Sequence, residues 1–130
     1  VIEEGRALFL QIAESVEESI IDGSLPEESR APSTNELAAF YRINPATAAK
    51  GVSMLVDKGV LYKRRGIGMF VASGARELLV AERRAAFAER YLDPLLAEAR
   101  TIGLSPDDLA RLIRHRAAMT ATDDTEGTAR

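Results

Sequence analysis

Pro32-Ser33-Thr34-Asn35-Glu36-Leu37-Ala38, Ile43-Asn44-Pro45-Ala46-Thr47-Ala48-Ala49-Lys50 and Lys63-Arg64-Arg65-Gly66-Ile67-Gly68-Met69-Phe70-Val71 decide the fold of this chain. Ser33 and Glu36 have the spacing of a capping box. The hydroxyl accepts from the Glu36 amide, and the carboxylate reaches back to the Ser33 amide. A short helix should follow, with Leu37, Ala38 and either Phe40 or Tyr41 facing inward. Tyr41-Arg42-Ile43 makes a turn. Asn44 is a strong N-cap, and Pro45 at the first helical position gives up an amide that has no partner there anyway. This second helix is predicted to run to about Lys58, with Ala48, Val52, Leu55 and Val56 as its buried stripe and Gly59 as its αL stop. Gly51 inside it costs up to ~1 kcal/mol relative to alanine; it either permits close helix packing or is merely tolerated. Leu61–Arg64 and Met69–Ala72 read as hairpin strands around a turn at 65–68, where two glycines supply positive φ. Two capped helices followed by a basic hairpin form the layout of a winged helix-turn-helix. The predicted class is mainly α (α+β), with a two-stranded wing.

Outward from this centre, Leu8, Ile12, Val16 and Ile20 recur every fourth residue, with Glu14, Glu17, Glu18 and Asp22 opposite. That spacing predicts an amphipathic helix stopped at Gly23. Residues 24–32 read as a connector ending in Pro32, which keeps Ala31 out of helical geometry. Residues 75–102 read as a long helix that Pro94 should kink or break near residues 90–93. Ser105-Pro106-Asp107-Asp108 caps a last helix carrying Leu109, Leu112, Ile113 and Ala117. Residues 120–130 are polar and aperiodic, and are expected to be a disordered tail. The predicted organisation is a winged domain at 1–74, a helical appendage at 75–119 and the tail. Val1 is not an initiator methionine, so further residues are expected ahead of it.

With 130 residues and 46% hydrophobic content, a single small core is possible, filled by aliphatic side chains because tryptophan is absent. The absence of cysteine excludes disulfides, thiolate metal sites and a cysteine nucleophile. No apolar run approaches the ~20 residues of a membrane span, so no membrane partner is expected and the cytoplasm is the expected location. The net charge of −3 is unevenly distributed: residues 1–29 carry −7, residues 30–76 carry +6 and residues 77–130 carry −2. The positive block coincides with the helix-turn-helix and its hairpin, as phosphate binding requires.

In helix-turn-helix proteins the first turns of the second helix meet base edges. Asn44, Ala46, Thr47 and Lys50 occupy those turns here. Thr47 and Lys50 are read as DNA contacts, whereas capping alone accounts for Asn44 equally well. Strand alternation prevents Lys63, Arg64 and Arg65 from all facing one way, so one or two should meet phosphate. Gly66 and Gly68 let the wing backbone approach a groove. His115 stands alone and is a poor metal ligand; Asp107 and Asp108 are explained by the cap; no nucleophile–base set is present. No cofactor or metal is expected, and the chain is not read as an enzyme.

These residues resemble the GntR family of bacterial transcription regulators over residues 6–72. Leu8-Phe9-Leu10-Gln11-Ile12 looks like the family's opening helix, and Gly23-Ser24-Leu25 like its stop. Pro32-Ser33-Thr34-Asn35-Glu36-Leu37-Ala38 is similar to its proline-serine-x-arginine-glutamate-leucine-alanine signature, and Gly66–Val71 to its wing. Ile43-Asn44-Pro45-Ala46-Thr47 with Lys50 resembles the YtrA branch, which adds a short helical appendage instead of a large ligand-binding domain. The resemblance implies a homodimer, held by the appendage, that binds a palindromic operator, often near transporter genes. Asn35 and Pro45 stand where the family often has operator-reading arginines, which shifts reading toward Asn44, Thr47, Lys50 and the wing. The DNA-binding set is therefore Ser33, Thr34, Asn35, Asn44, Pro45, Ala46, Thr47, Lys50, Lys63, Arg64, Arg65, Gly66 and Gly68. The dimerisation set is Phe87, Tyr91, Leu92, Leu95, Leu96, Ile102, Leu109, Leu112 and Ile113. The surplus of apolar positions at 75–102 supports a dimer independently, because the winged domain is too small to cover them. Repression is the expected mode of control. An unknown effector, if one is used, would be a small apolar or amphipathic molecule. The rival reading is a winged-helix module that binds another protein, for which a basic glycine-tipped wing serves no purpose.

Overall fold

The computed structural model describes residues 7–128, with side chains through Thr122. Arg6, where the family resemblance begins, and the last two residues of the expected tail lie outside the described residues. In chain order the elements are α1 (Leu8–Ile21), α2 (Thr34–Tyr41), α3 (Pro45–Asp57), β1 (Leu61–Arg64), β2 (Gly68–Val71) and α4 (Ala75–Phe87). A π-helical turn (Ala88–Leu92), α5 (Asp93–Thr101) and α6 (Pro106–Thr128) follow. The chain divides into two compact units between Arg83 and Arg84, inside α4.

The first unit is built on α3. α1 and α2 both pack against it, burying Ile12, Val16 and Ile20 from α1, Leu37 and Ala38 from α2, and Ala48, Val52 and Leu55 from α3. Gly51 is the contact point of α1 and α3. A Cβ there would lie 2.8 Å from the Phe9 carbonyl oxygen, so close packing, not tolerance, explains this glycine. Val56 is exposed, and Gly51, on the opposite edge of the Ala48, Val52 and Leu55 stripe, is buried instead. Tyr41 rather than Phe40 turns inward: Tyr41 packs on the core, while Phe40 is 79% exposed. The winged-helix core extends further along the chain than the expected boundary at 74/75, because Ala75 and Leu79 of α4 are buried in it. Glu27 fastens the start of α4 by accepting from the Gly74 and Arg76 amides at 3.0 and 3.2 Å.

The wing pairs antiparallel, with Leu61 opposite Val71, Tyr62 opposite Phe70, Lys63 opposite Met69 and Arg64 opposite Gly68. The connector at 28–31 is more than a linker. It runs beside β2: the Glu28 amide donates to the Val71 carbonyl (2.8 Å), the Val71 amide to Ser29 (3.0 Å) and the Ala31 amide to Met69 (2.8 Å). An antiparallel bridge joins Arg30 to Phe70. The wing is thereby tied to the segment that leads into α2.

In the second unit, Pro94 does not break the helix. Its missing amide and its ring would conflict with the Arg90 carbonyl of a regular helix. The chain instead widens by a π turn just before it, in which the Asp93 amide reaches back to the Ala88 carbonyl. α5 ends ahead of Gly103, which takes φ +79°. α6 then starts from a second reciprocal cap: Ser105 Oγ accepts from the Asp108 amide at 3.1 Å, and the carboxylate accepts from the Ser105 amide at 3.0 Å. Contrary to the expected tail beginning at residue 120, α6 continues to Thr128. Thr120 and Thr122 donate to the Arg116 and Ala118 carbonyls in the preceding turn, and no proline interrupts the run.

Candidate nucleic-acid interface

Both short helices begin on caps that aim their free amides outward. Ser33 Oγ accepts from the Glu36 amide at 3.0 Å, and Glu36 accepts from the Ser33 amide at 2.9 Å. Those hydrogen bonds, with the Ser33 amide first and its hydroxyl second, hold the Glu36 carboxyl below the usual carboxylate range. Asn44 Oδ1 accepts from the Ala46 amide at 2.7 Å, which leaves its NH2 group available to a ligand. Between the helices Arg42 takes the left-handed conformation, φ +56°, and ends α2 by donating its amide to the Ala38 carbonyl. Asn35, Asn44, Pro45, Ala46 and Lys50 are exposed, while Ser33, Thr34 and Thr47 are half-buried. Lys50 is not extended into solvent. Its Nζ sits 4.0 Å from the centroid of the Phe9 ring on α1, a cation–π contact that fixes where the charge lies.

Alternation in the wing separates the three expected cations. Lys63 shares a face with Met69 and lines the cleft against α3 formed with Val52, Ser53, Val56 and Asp57. Arg64 turns to the other face, where its guanidinium carbon lies 4.8 Å from the Phe70 ring centroid. Arg65 is exposed at the tip. The tip is a tight turn in which the Ile67 amide donates to the Arg64 carbonyl at 2.9 Å, with Gly66 at φ +78°. A side chain at Gly66 would be strained by that conformation. On the same face as Arg64, Tyr62 donates to Glu28 at 2.6 Å, which raises its phenol above the usual range.

The basic block is not uniformly available. Lys58 pairs with Glu17 at 2.5 Å and Glu82 at 2.6 Å, tying α1, the end of α3 and α4 together. Burial alone would lower its pKa, but the hydrogen bonds to the two carboxylates outweigh burial and raise it. Arg76 donates to the Ile21 carbonyl. Arg30, Arg42, Lys63, Arg64 and Arg65 remain, and among the described residues none of them forms an ion pair. Arg30 and Arg42 were visible in the sequence only as charges within the positive block. Nothing local marked Arg30 as a neighbour of the wing.

The expected dimerisation residues lie in the second unit. Phe87, Tyr91, Leu92, Leu95, Ile102, Leu112 and Ile113 are between 39% and 61% exposed. Leu109, expected on the same face, is instead buried within the unit, where it and Ala99 line the junction of α5 and α6; Leu96 is half-buried there. Its surface is not open to a second copy. Among the described residues, no helix is long and apolar enough to cross a membrane.

An N-capped helix displayed beside a basic hairpin defines a winged helix-turn-helix, a DNA-binding fold. The profile of the bacterial regulatory proteins of the gntR family matches residues 8–71. The HTH-type transcriptional repressor YtrA of Bacillus subtilis (strain 168) is 26% identical over 111 residues, covering 85% of each chain. A solved GntR-family transcriptional regulator from Bacteroides thetaiotaomicron superposes with a TM-score of 0.72 at 31% identity, covering 88% of this chain and 99% of that one. The DNA-binding domain of AraR, solved in complex with operator ORX1, matches with a TM-score of 0.50 at 26% identity, over 55% of this chain and 93% of that one. The chain belongs to the GntR family and is a transcriptional regulator with a DNA-binding helix-turn-helix fold.

Proposed function

We propose that this protein is a homodimeric, cytoplasmic repressor that binds a palindromic operator through α3 and the wing, in the manner of the YtrA branch. The observation that carries the reading is an exposed, capped N-terminus of α3 in one domain with cations that form no ion pair among the described residues: Arg42 in the turn just before it, and Lys63 and Arg65 on the wing. Thr47 and the free NH2 group of Asn44 supply base-edge hydrogen bonds in the major groove, and Lys63 and Arg65 supply phosphate contacts. Ser33, Thr34 and Asn35, at the start of α2, face the adjacent backbone. Dimerisation rests on the exposed stripe of Phe87, Tyr91, Leu92, Leu95 and Ile102, continued on α6 by Leu112 and Ile113. Apolar surface removed from water contributes ~25 cal/mol per Å², ample drive for pairing two copies. Two reading heads then address half-sites about 34 Å apart, or a multiple of that. Repression is the reading that the similarity to the repressor YtrA supports, and a target operon of the transporter type is what the family resemblance implies.

The test is selection of duplexes from a random pool on the intact protein, followed by titration of the winners across salt. The expected result is a palindromic consensus whose log affinity falls by ~0.9 per log salt for each phosphate neutralised. Affinity that stays level with salt, or a pool that never converges, overturns the reading.

A further inference from the structure

Phe70 is buried at 9% exposure but stands outside the core that the helices share with Val71 and Met69 of β2. Its ring lies on the outer face of the wing, covered by side chains from β1 on one side and from the connector on the other. From β1 come Tyr62, with ring centroids 6.1 Å apart, and Arg64, at 4.8 Å. From the other side comes Arg30, bridged to Phe70 across the backbone; residues so paired share a face. The Arg30 side chain runs along β2 to Gly68, where a Cβ would come 3.2 Å from its Nε. Gly68 is also the direct partner of Arg64 in β1. Two guanidiniums therefore flank one residue that has no side chain, beside the wing tip.

The nearby acids are already engaged: Glu28 by the Tyr62 hydroxyl, Glu36 by the Ser33 cap. Arg30 adds to the depression of the Glu36 carboxyl through space, placing its charge between the wing and the start of α2.

We propose that Arg30 is a DNA-backbone-binding residue which, with Arg64 across Gly68, grips a phosphate next to the wing tip. The proposal rests on the operator-binding reading above and adds a site to it. Guanidinium suits the role because its planar fork matches phosphate oxygens and stays charged at any working pH. Gly68 is part of the device: with no Cβ, it leaves room for the Arg30 stem, and its φ of +141° disfavours any other residue.

The competing role for Arg30 is to cover Phe70 with its methylene stem. Arg30→Met keeps that cover and removes the charge. The probe is the tightest duplex selected on the unaltered full-length protein. The expected result is an unchanged thermal midpoint, an unchanged rank order among selected duplexes, and a salt slope shallower by ~0.9. Arg30→Gln should give the same slope, and Arg30→Lys should restore it. If the parent shows a steep slope and both the Met and Gln variants keep it, Arg30 is only a cover and the proposal fails. If the parent binds no duplex at all, the operator-binding reading itself fails.

Discussion

Ser33 does two jobs in three residues of sequence: it ends the connector and starts α2. Removing its hydroxyl in Ser33→Ala should cost ~1 kcal/mol, seen as a thermal midpoint lower by roughly 5 °C. An unchanged midpoint would mean that water replaces the cap without loss. The same cap sets an acid limit. Because Glu36 is held below the usual carboxylate range in the folded state, it binds fewer protons there than in the unfolded chain. Its contribution is present above the usual glutamate range and is lost as pH falls through and below it. Asp108, depressed by the Ser105 amide and hydroxyl, behaves alike at the start of α6. A Glu36→Gln, Asp108→Asn variant should therefore show a flatter loss of urea midpoint between about pH 5 and about pH 3 than the parent. In the reading head, Thr47→Ala should change which duplexes are preferred, and Arg65→Ala should weaken all of them alike; gel shifts on a panel of selected duplexes separate the two. The caps, Asn44, Gly59 and Gly66 were all legible in the sequence because donor and acceptor, or residue and required φ, lie within one turn of chain.

At the scale of elements, legibility falls where the partner is distant. Gly51 left two readings open in the sequence, and only the Phe9 carbonyl on α1 decides between them. Gly51→Ala is the informative substitution. Helix propensity alone predicts a gain of up to ~1 kcal/mol, while the clash with a backbone oxygen predicts a loss. The backbone cannot retreat without moving α1, so the clash should win, and chemical denaturation should show a net destabilisation. The pairing of the connector at 28–31 with β2 was missed for a related reason. The connector's residues, Glu28 to Ala31, have neither alternation nor β-branched side chains, and their partner is a strand forty residues later in the chain. Val56 was misplaced because periodicity does not show which edge of the stripe meets a neighbour: the Gly51 edge packs on Phe9 and Ile12 of α1, and the opposite edge, with Val56, is left exposed. The end of α6 escaped prediction because its polar residues, threonines included, carry no periodicity, although they can still extend a helix already nucleated.

At the scale of the molecule, local charge was a sound guide to the fold and a coarse one to the interface. Counting gave +6 over residues 30–76, but Lys58 belongs to an internal bridge with Glu17 and Glu82. Lys58→Met should therefore leave the DNA salt slope close to that of the parent, in contrast to Arg65→Ala. It should also remove a stabilisation that the parent holds at neutral pH and loses as pH rises past the usual lysine range, since its folded-state pKa is raised. Assembly is tested by Leu95→Asp, which places a charge in the exposed stripe. Sedimentation should show a monomer, and operator affinity should fall to that of a single head. A variant that sediments like the parent would move the dimer contact elsewhere.

The π turn at Ala88–Leu92 has a consequence best put in terms of counting. It absorbs one extra residue without the rotation, about 100°, that the residue would add to a regular rod. Leu92, Leu95 and Ile102 therefore point where they do relative to Phe87 because of how many residues precede them, as much as because of what those residues are. Pro94→Ala, by letting the segment wind as an unbroken α-helix, would keep every large apolar side chain yet swing the later ones about 100° out of line with the earlier; deleting Ala88 as well would bring them back into line. On the dimer reading proposed above, the Pro94→Ala protein should keep its helix content and sediment as a monomer, and the doubly altered protein should sediment like the parent. On that reading the number of residues in this segment matters to pairing as much as the side chains it carries.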